Sequence, residues 1–204
     1  GRACVDLGAV VDIAGSMGTS AEIKTNRGVE SHGLTSLNIV QHATQTMIAS
    51  LSPEDQFALV SFHTNVRTEF PLSPMTDTNK TIASKATNAL HPQDTTNLWG
   101  GIEQGLNLLP SDTHRLQVVV VQTDGVDNIA PGEGVVKACE AWIKRAKVSG
   151  RRIPLIYTIG FGTNLESPKL VEIAALSEGG VFQYIHDAAS VGTVFCNALA
   201  NIYS

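Results

Sequence analysis

The chain has 204 residues and a net charge of −5, with 43% hydrophobic and 16% charged residues. This composition excludes an intrinsically disordered chain and suffices for a domain with a full hydrophobic core. Acidic and basic residues are mixed along the sequence, which argues against nucleic acid or an anionic membrane surface as the main partner. No apolar run approaches the roughly 20 residues that a membrane span requires, so membrane insertion is not expected.

The sequence begins at Gly1 without a recognisable signal peptide. We therefore expect a processed protein or a fragment of a longer one, and both an extracellular and a cytoplasmic location stay open. The three cysteines form no disulfide framework and no CxxC metal site. Cys139 is expected to be a buried free thiol on a helix. A bridge between Cys4 and Cys196 would tie the two ends of the chain together, and its presence and absence both stay open.

Strand and helix signals alternate along the chain. Short apolar runs predict strands at residues 5–12, 57–62, 66–70, 116–121, 154–159 and 181–184. Apolar residues at helical spacing predict helices at about 34–51, 77–90, 98–109, 136–146, 170–174 and 191–202. A tight turn of His63, Thr64 and Asn65 joins the second and third strands into a hairpin.

This order predicts an α/β fold with one doubly wound, Rossmann-like sheet. Uninterrupted apolar strands between amphipathic helices are typical of a mostly parallel sheet that is covered on both faces. The hairpin adds one antiparallel strand at an edge, giving six strands in a single domain over residues 1–204. We expect the hairpin turn to lie toward the far side of the sheet, with His63 and Asn65 as surface turn residues rather than ligands.

Two of the apolar strands end in an aspartate. Asp12 is followed by Ile-Ala-Gly-Ser16, and Asp124 stands in Gln-Thr-Asp-Gly. Ligands of open α/β sheets bind beyond the carboxyl ends of the strands, at the point where strand order reverses. If these two strands are neighbours there, the carboxylates face each other and require a proton or a cation between them. The same residues could equally form two ordinary turns.

A cation at this position would have only oxygen ligands. Hydroxyl groups from Ser16 and from a third loop would complete a shell that suits Mg²⁺, Mn²⁺ or Ca²⁺ and does not suit zinc. Mg²⁺ usually keeps several waters and binds one or two carboxylates, which leaves a coordination position for the carboxylate of a partner.

Three loops resemble those of von Willebrand factor type A domains. Asp12-Ile-Ala-Gly-Ser16-Met17 resembles the DxSxS signature of the family, and Thr95-Thr96-Asn97-Leu98 resembles its threonine loop. The segment QTDGVDN at 122–128 resembles its TDG loop. The resemblance runs from about residue 5 to residue 203. The closing segment, GTVFCNALANIY, resembles the last helix of a branch found in eukaryotic proteins together with Hedgehog/intein-type or ubiquitin-ligase modules.

The resemblance implies a metal ion-dependent adhesion site, or MIDAS, formed by Asp12, Ser16, Thr96 and Asp124. In the family, an acidic side chain of the partner protein becomes the last ligand of the ion, so the implied function is protein interaction. Ala14 departs from the pattern, because it stands where the first serine of the signature belongs. This loss removes a neutral oxygen donor and leaves both charges in place. We expect weaker metal binding, with water as the substitute ligand, or a degenerate site whose loops bind a partner without metal.

The surface that contacts the partner is expected around the ion. The candidate residues are Met17, Gly18, Ser20, Thr95, Asn97, Gly125, Val126 and Asp127. Residues 19–33 carry several charges and few apolar side chains, so we expect a loop that borders the site. This loop would either determine specificity, as binding loops often do, or be a solvated insertion.

An enzyme is the third hypothesis, and the sequence lacks its usual motifs. No GxxxxGK[ST] loop, GxGxxG, HExxH or GxSxG is present. His91, close to the threonine loop, is the one histidine that we consider as a base, and a simple turn residue is the alternative. No catalytic residue is therefore assigned.

Overall fold

The computed structural model describes residues 3–124, 128–161, 167–185 and 200. Within this part of the chain there are eight strands and five α-helices. The strands are β1 (Val5–Asp12), β2 (Ser20–Thr25), β3 (Gly28–Thr35), β4 (Gln56–Phe62), β5 (Val66–Pro74), β6 (Leu116–Thr123), β7 (Leu155–Gly160) and β8 (Val181–Tyr184). The helices are α1 (Ser36–Ser50), α2 (Asp77–Asn88), α3 (Leu98–Asn107), α4 (Val135–Val148) and α5 (Ser167–Ala175), and a short 3₁₀ helix spans Gly15–Gly18.

Some predicted features fall outside the described residues: the closing helix at 191–202, with Cys196 and its bridge to Cys4. Among the described helices, none has both the length and the apolar content needed to cross a membrane.

Six of the strands form one sheet in the order β5-β4-β1-β6-β7-β8. β1 is parallel to both of its neighbours, β4 and β6, and β7 and β8 continue the parallel arrangement. Only β5, at the edge, is antiparallel, and it pairs with β4. The predicted doubly wound α/β architecture with one antiparallel edge strand is therefore confirmed. Strand order reverses between β1 and β6, which places the crevice predicted from the sequence at their carboxyl ends.

Two hydrophobic cores cover the two faces of the sheet, because successive side chains of a strand point to opposite faces. In β1, Leu7, Ala9 and Val11 belong to the core that includes residues of α1 and α2. Val10 belongs to the other core, with residues of α3, α4 and α5. Cys139 is fully buried in this second core as a free thiol, as predicted. Burial raises the pKa of its thiol to about 12, so it stays neutral.

The segment predicted as a loop at 19–33 contains a β-hairpin. β2 and β3 pair antiparallel in a separate two-stranded sheet. The backbone amide of Ser36 donates to the carbonyl of Thr19 with a distance of 3.2 Å, which closes the base of the hairpin at the start of α1. The prediction of an irregular loop was therefore wrong, although the position of the segment beside the tip of β1 was right.

The turn of residues 63–65 also lies where the sequence prediction did not place it. β4 runs parallel to β1, and its last residue, Phe62, is the register partner of Asp12. The turn that follows Phe62 is consequently at the same edge of the sheet as Asp12. The expectation that it lies on the far side was wrong, because a helical crossover makes β1 and β4 parallel and brings their carboxyl ends together.

Candidate functional site

The first component of the site is a pair of aspartates at the ends of β1 and β6. These strands are adjacent, with Val11 as the register partner of Gln122. The Asp12 side chain is fully buried. Its Oδ2 accepts a hydrogen bond of 2.7 Å from the hydroxyl of Thr123, and its Oδ1 accepts one of 2.8 Å from the backbone amide of Ala14. Asp124 directly follows β6 and is half-buried.

The charge of Asp124 acts on the buried carboxyl group of Asp12. Burial, and next the charge of Asp124, raise the pKa of Asp12 to about 7, against an ordinary value of 3.8. The hydrogen bonds from Ala14, Thr123 and the backbone of Asp124 act in the opposite direction and do not cancel this effect. A proton or a cation is therefore needed to neutralise the repulsion between the two carboxyl groups at neutral pH.

The second component is the threonine loop, in which the Thr96 side chain is fully buried. Its Oγ1 has no hydrogen-bond partner in the described part of the chain. The Thr96 backbone is well held: its amide donates to Asn128 Oδ1 at 3.1 Å, and its carbonyl accepts from the amides of Asn128 and Ile129 at 3.0 Å each. The loop is thus fixed to the residues just beyond Asp124. A buried hydroxyl without a partner costs about 1–3 kcal/mol, which a ligand at this position would recover.

The third component is the 3₁₀ helix Gly15–Gly18, which carries the exposed Ser16. The amide of Gly15 donates to the carbonyl of Asp94 at 2.9 Å, so the Ser16 turn is joined to the threonine loop. Asp94 has a φ of 40°, an unusual value for a residue other than glycine. Such backbone strain persists only where the surroundings fix it, and it is frequent at functional sites.

Together these components offer oxygen ligands only. No group of three or more His, Cys, Asp or Glu residues that could hold a metal occurs among the described residues. The predicted set of Asp12, Ser16, Thr96 and Asp124 has two carboxylates and two hydroxyls instead, which is the donor chemistry of Mg²⁺, Mn²⁺ and Ca²⁺. The effect of the Asp124 charge on Asp12, and the Thr96 hydroxyl without a partner among the described residues, fit a hard divalent cation.

The predicted contact residues have different environments. Met17 is fully buried in the core beside α1, so its proposed role on the contact surface was wrong and it serves packing. Gly18 is half-buried against Pro92, where an added Cβ would lie 2.8 Å from the proline ring. Ser20 and Thr95 are exposed, and Asn97 is half-buried. Gly125, Val126 and Asp127 lie outside the described residues.

Sequence reasoning missed the turn after β4 as a support of the site. The hydroxyls of Thr64 and Thr95 are hydrogen-bonded at 2.9 Å, and the amide of Asn97 donates to the carbonyl of His63 at 2.8 Å. His63 Nδ1 also lies 3.8 Å from Asp94 Oδ2. The crossover between β1 and β4 was the available signal, since it makes the two strands parallel.

His91, which was considered as a base, is an exposed residue whose hydrogen-bond contacts with the described residues are local. Its Nδ1 lies 3.3 Å from the carbonyl oxygen of Ala89, and its Nε2 lies 3.2 Å from Nε2 of Gln93. These contacts are those of a turn residue.

A sequence model of the von Willebrand factor type A domain matches residues 8–126, which is more than half of the chain. The chain belongs to the von Willebrand factor type A family. The match covers most of β1, the Ser16 turn, the threonine loop and Asp124, which are the components of the candidate site. No curated protein sequence matches the chain.

Solved structures similar to this A domain include adhesion and matrix proteins. A von Willebrand factor type A protein from Catenulispora acidiphila has a TM-score of 0.76 and 19% identity, and the match covers 98% of this chain and 43% of that one. Proximal thread matrix protein 1 from the mussel byssus, in a structure with a zinc-occupied MIDAS motif, has a TM-score of 0.70 and 20% identity over 98% and 46% of the two chains. The pilus adhesin SpaC from Lactobacillus rhamnosus GG has a TM-score of 0.71 and 16% identity, and the match covers 98% of this chain and 31% of that one.

The A domain therefore spans less than half the length of each of these three proteins. At these identities the likeness establishes the shared fold.

Proposed function

We propose that this A domain is a protein-interaction domain that binds an acidic group of a partner protein through a divalent cation. Asp12, Ser16, Thr96 and Asp124 would hold the ion, which is Mg²⁺, or alternatively Mn²⁺ or Ca²⁺. When bound, the cation supplies an open coordination position for a carboxylate of the partner. The observation that carries this proposal is the fully buried Thr96 hydroxyl, which has no partner in the described part of the chain.

Ala14 limits the affinity of the proposed site for the cation. Its side chain contributes no oxygen, while its backbone amide still orients Asp12. A water in place of the missing hydroxyl restores the coordination number at a cost of about 0–2 kcal/mol in immobilisation. The site is therefore weaker than one with the complete signature.

The comparisons support an interaction role over an enzymatic one. One similar structure is a pilus adhesin, and another contains a zinc-occupied MIDAS motif. Neither nucleic acid nor membrane insertion belongs to the proposal. We further propose that residues 1–204 form one domain, and that the closing segment places it in the eukaryotic branch that accompanies Hedgehog/intein-type or ubiquitin-ligase modules.

A metal-free interaction or scaffold domain is the alternative, and the surroundings of Asp12 favour it. Both carboxyl oxygens of Asp12 already accept hydrogen bonds from the protein. A pKa of about 7 also allows a proton to neutralise this carboxyl near neutral pH. In that state the loops would bind a partner without an ion.

Thermal unfolding in Mg²⁺, Mn²⁺, Ca²⁺ or EDTA separates the two functions. A cation at ten times its Kd stabilises the native state by about 1.4 kcal/mol, which raises the Tm of a domain of this size by about 3–6 °C. The proposal predicts such a shift at millimolar concentrations, and an equal Tm in EDTA and in all three cations contradicts it.

The partner chemistry requires a second experiment. Selection from a displayed peptide library in millimolar Mg²⁺ should enrich peptides with an essential Asp or Glu, and EDTA should release them. Enriched peptides without acidic residues, or peptides that stay bound in EDTA, would support the metal-free alternative.

A further inference from the structure

The even mixing of charges expected from the sequence does not hold for residues 143–152. This segment contains five basic residues and no acidic one: Lys144, Arg145, Lys147, Arg151 and Arg152. It comprises the end of α4 and the connection to β7. Because β7 belongs to the parallel set that includes β1, its amino end lies at the opposite edge of the sheet from Asp12.

Structural roles explain only part of this basic segment. Arg151 Nη2 donates to the carbonyl of Leu109 at 2.9 Å, and its guanidinium lies 5.1 Å from the ring centroid of Trp142. Lys147 is in the last turn of α4, where a cation interacts favourably with the helix dipole. Arg152 forms no hydrogen bond or ring contact of this kind with the part of the chain that the structure describes. Lys147 and Arg152 are both exposed, and neither forms an ion pair with the described residues.

These two side chains line a recess of about 430 Å³ at the amino ends of β6 and β7. Gln117 and Ser177 contribute neutral polar walls and are nearly fully buried. Both side chains already form hydrogen bonds within the protein. Gln117 Nε2 donates to the carbonyl of Pro110 at 2.7 Å, and Ser177 Oγ accepts from the amide of Ile156 at 2.9 Å. Among the described residues that line the recess, the charged side chains are therefore those of Lys147, Arg152 and the exposed Glu178.

We propose that this recess binds a sulfate or phosphate ester carried on a sugar-sized group. Lys147 and Arg152 would contact the anion, since guanidinium and ammonium groups are the usual donors to such oxyanions. A concave site with two cations suits a discrete anionic group better than a flat bilayer. A nucleobase would need an aromatic surface for stacking, whereas Trp142 is only 7% exposed and has Arg151 over its ring.

The test measures binding of three probes by titration calorimetry in EDTA, so that the proposed cation site cannot contribute. The probes are a sulfated heparin-derived hexasaccharide, its desulfated form and inositol hexakisphosphate. We expect a sulfated or a phosphorylated probe to bind and the desulfated one to fail. Binding of the hexasaccharide alone assigns a sulfate ester, binding of the inositol phosphate alone assigns a phosphate ester, and binding of both assigns the shared oxyanion chemistry.

Three variants locate the binding. Lys147→Ala with Arg152→Ala should weaken it by about tenfold or more and flatten its salt dependence. Glu178→Gln should strengthen it by about twofold or more, because it removes a repelling charge from the recess alone. The matched control is Lys80→Ala with Lys85→Ala, which removes two lysines from the groove between α1 and α2 and should change binding by less than about twofold.

Four results would overturn the proposal. The first is that neither anionic probe binds the unmodified protein at millimolar concentration. The second is equal weakening by the double variant and by its control. The third is an unchanged affinity in Glu178→Gln, which would place the anion on the outer face of α4. The fourth is duplex DNA bound as tightly as the probes and with the same dependence on Glu178, which would indicate a response to charge alone.

Discussion

Asp12 is the residue with the strongest electrostatic conflict at the site. It is fully buried, both of its carboxyl oxygens are hydrogen-bonded, and the charge of Asp124 raises its pKa further. A proton and a cation are the two ways to neutralise this pair, and they compete for the same oxygens. The proposed cation site is therefore coupled to pH, and binding should release protons below about pH 7.

The cation-free protein should lose stability as pH rises through neutrality. The pKa of Asp12 is about 7 in the folded protein and 3.8 when unperturbed, so the folded state binds this proton more tightly. The associated stability is complete below about pH 4 and is lost progressively as the pH rises to about 7. Urea unfolding in EDTA from pH 4 to 8 measures it. Asp12→Asn should remove this slope, and an identical pH profile in both proteins would contradict the prediction.

Ala14 limits the affinity for the cation because it lacks the hydroxyl of the family signature. Ala14→Ser returns a neutral oxygen donor and leaves the charges unchanged. We expect Mn²⁺ to bind about 5–30 times more tightly, which corresponds to about 1–2 kcal/mol from replacing an immobilised water. Titration calorimetry measures both Kd values. Equal affinity in the two proteins would show that the missing hydroxyl does not weaken the site.

Thr96 and Thr123 form a matched pair of buried hydroxyls with opposite roles. Thr96→Val removes a group without a partner in the described chain, so cation-free stability should stay equal or rise by up to about 1 kcal/mol, while the Tm shift with Mg²⁺ disappears. Thr123→Val removes the donor to Asp12 and should cost about 1–3 kcal/mol. Urea unfolding in EDTA compares the two. A large loss of stability in Thr96→Val would show that its hydroxyl has a structural role.

Among the elements, α3, which follows the threonine loop, packs closely on the sheet because it has glycine at the contact. An added Cβ at Gly101 would overlap the ring of Phe62, which is fully buried at the end of β4. Gly101→Ala should therefore destabilise the domain by about 1–3 kcal/mol, even though alanine is the better helix former. Gly132→Ala is the control, because nothing lies within 4 Å of its added Cβ. Equal stability of the two variants in urea would contradict close packing of α3 on the sheet.

The elements also show what a single sequence can predict. β1 and β6 were identifiable because buried central strands are continuously apolar, and their terminal aspartates followed from that assignment. The β2–β3 hairpin was missed because residues 19–33 contain few apolar residues and show no strong alternation. The same limit explains the misplaced role of Met17, since one apolar residue in a polar turn gives no periodic signal for the core.

The hydrogen bonds that join the loops of the site could not be predicted from the sequence. The bond between the amide of Gly15 and the carbonyl of Asp94, and the bond between the hydroxyls of Thr64 and Thr95, join segments that are distant in sequence. They depend on the parallel arrangement of β1 and β4 and on the unusual φ of Asp94. Local propensities contain no such information.

At the scale of the whole molecule, the two proposed sites lie at opposite edges of one sheet. The cation site is at the carboxyl ends of β1 and β6, and the anion recess is at the amino ends of β6 and β7. Sites that are well separated and share no partners act nearly additively. The Tm shift with Mg²⁺ should consequently be the same in the unmodified protein and in the Lys147→Ala, Arg152→Ala variant.

The most direct test of the proposed site is an anomalous difference map from crystals grown with Mn²⁺. The proposed arrangement predicts one strong peak between the carboxyl groups of Asp12 and Asp124, with the Ser16 and Thr96 hydroxyls among oxygen ligands at about 2.1 Å. A map without this peak, in which the two carboxyl groups share a hydrogen bond or contact a basic side chain, would contradict it.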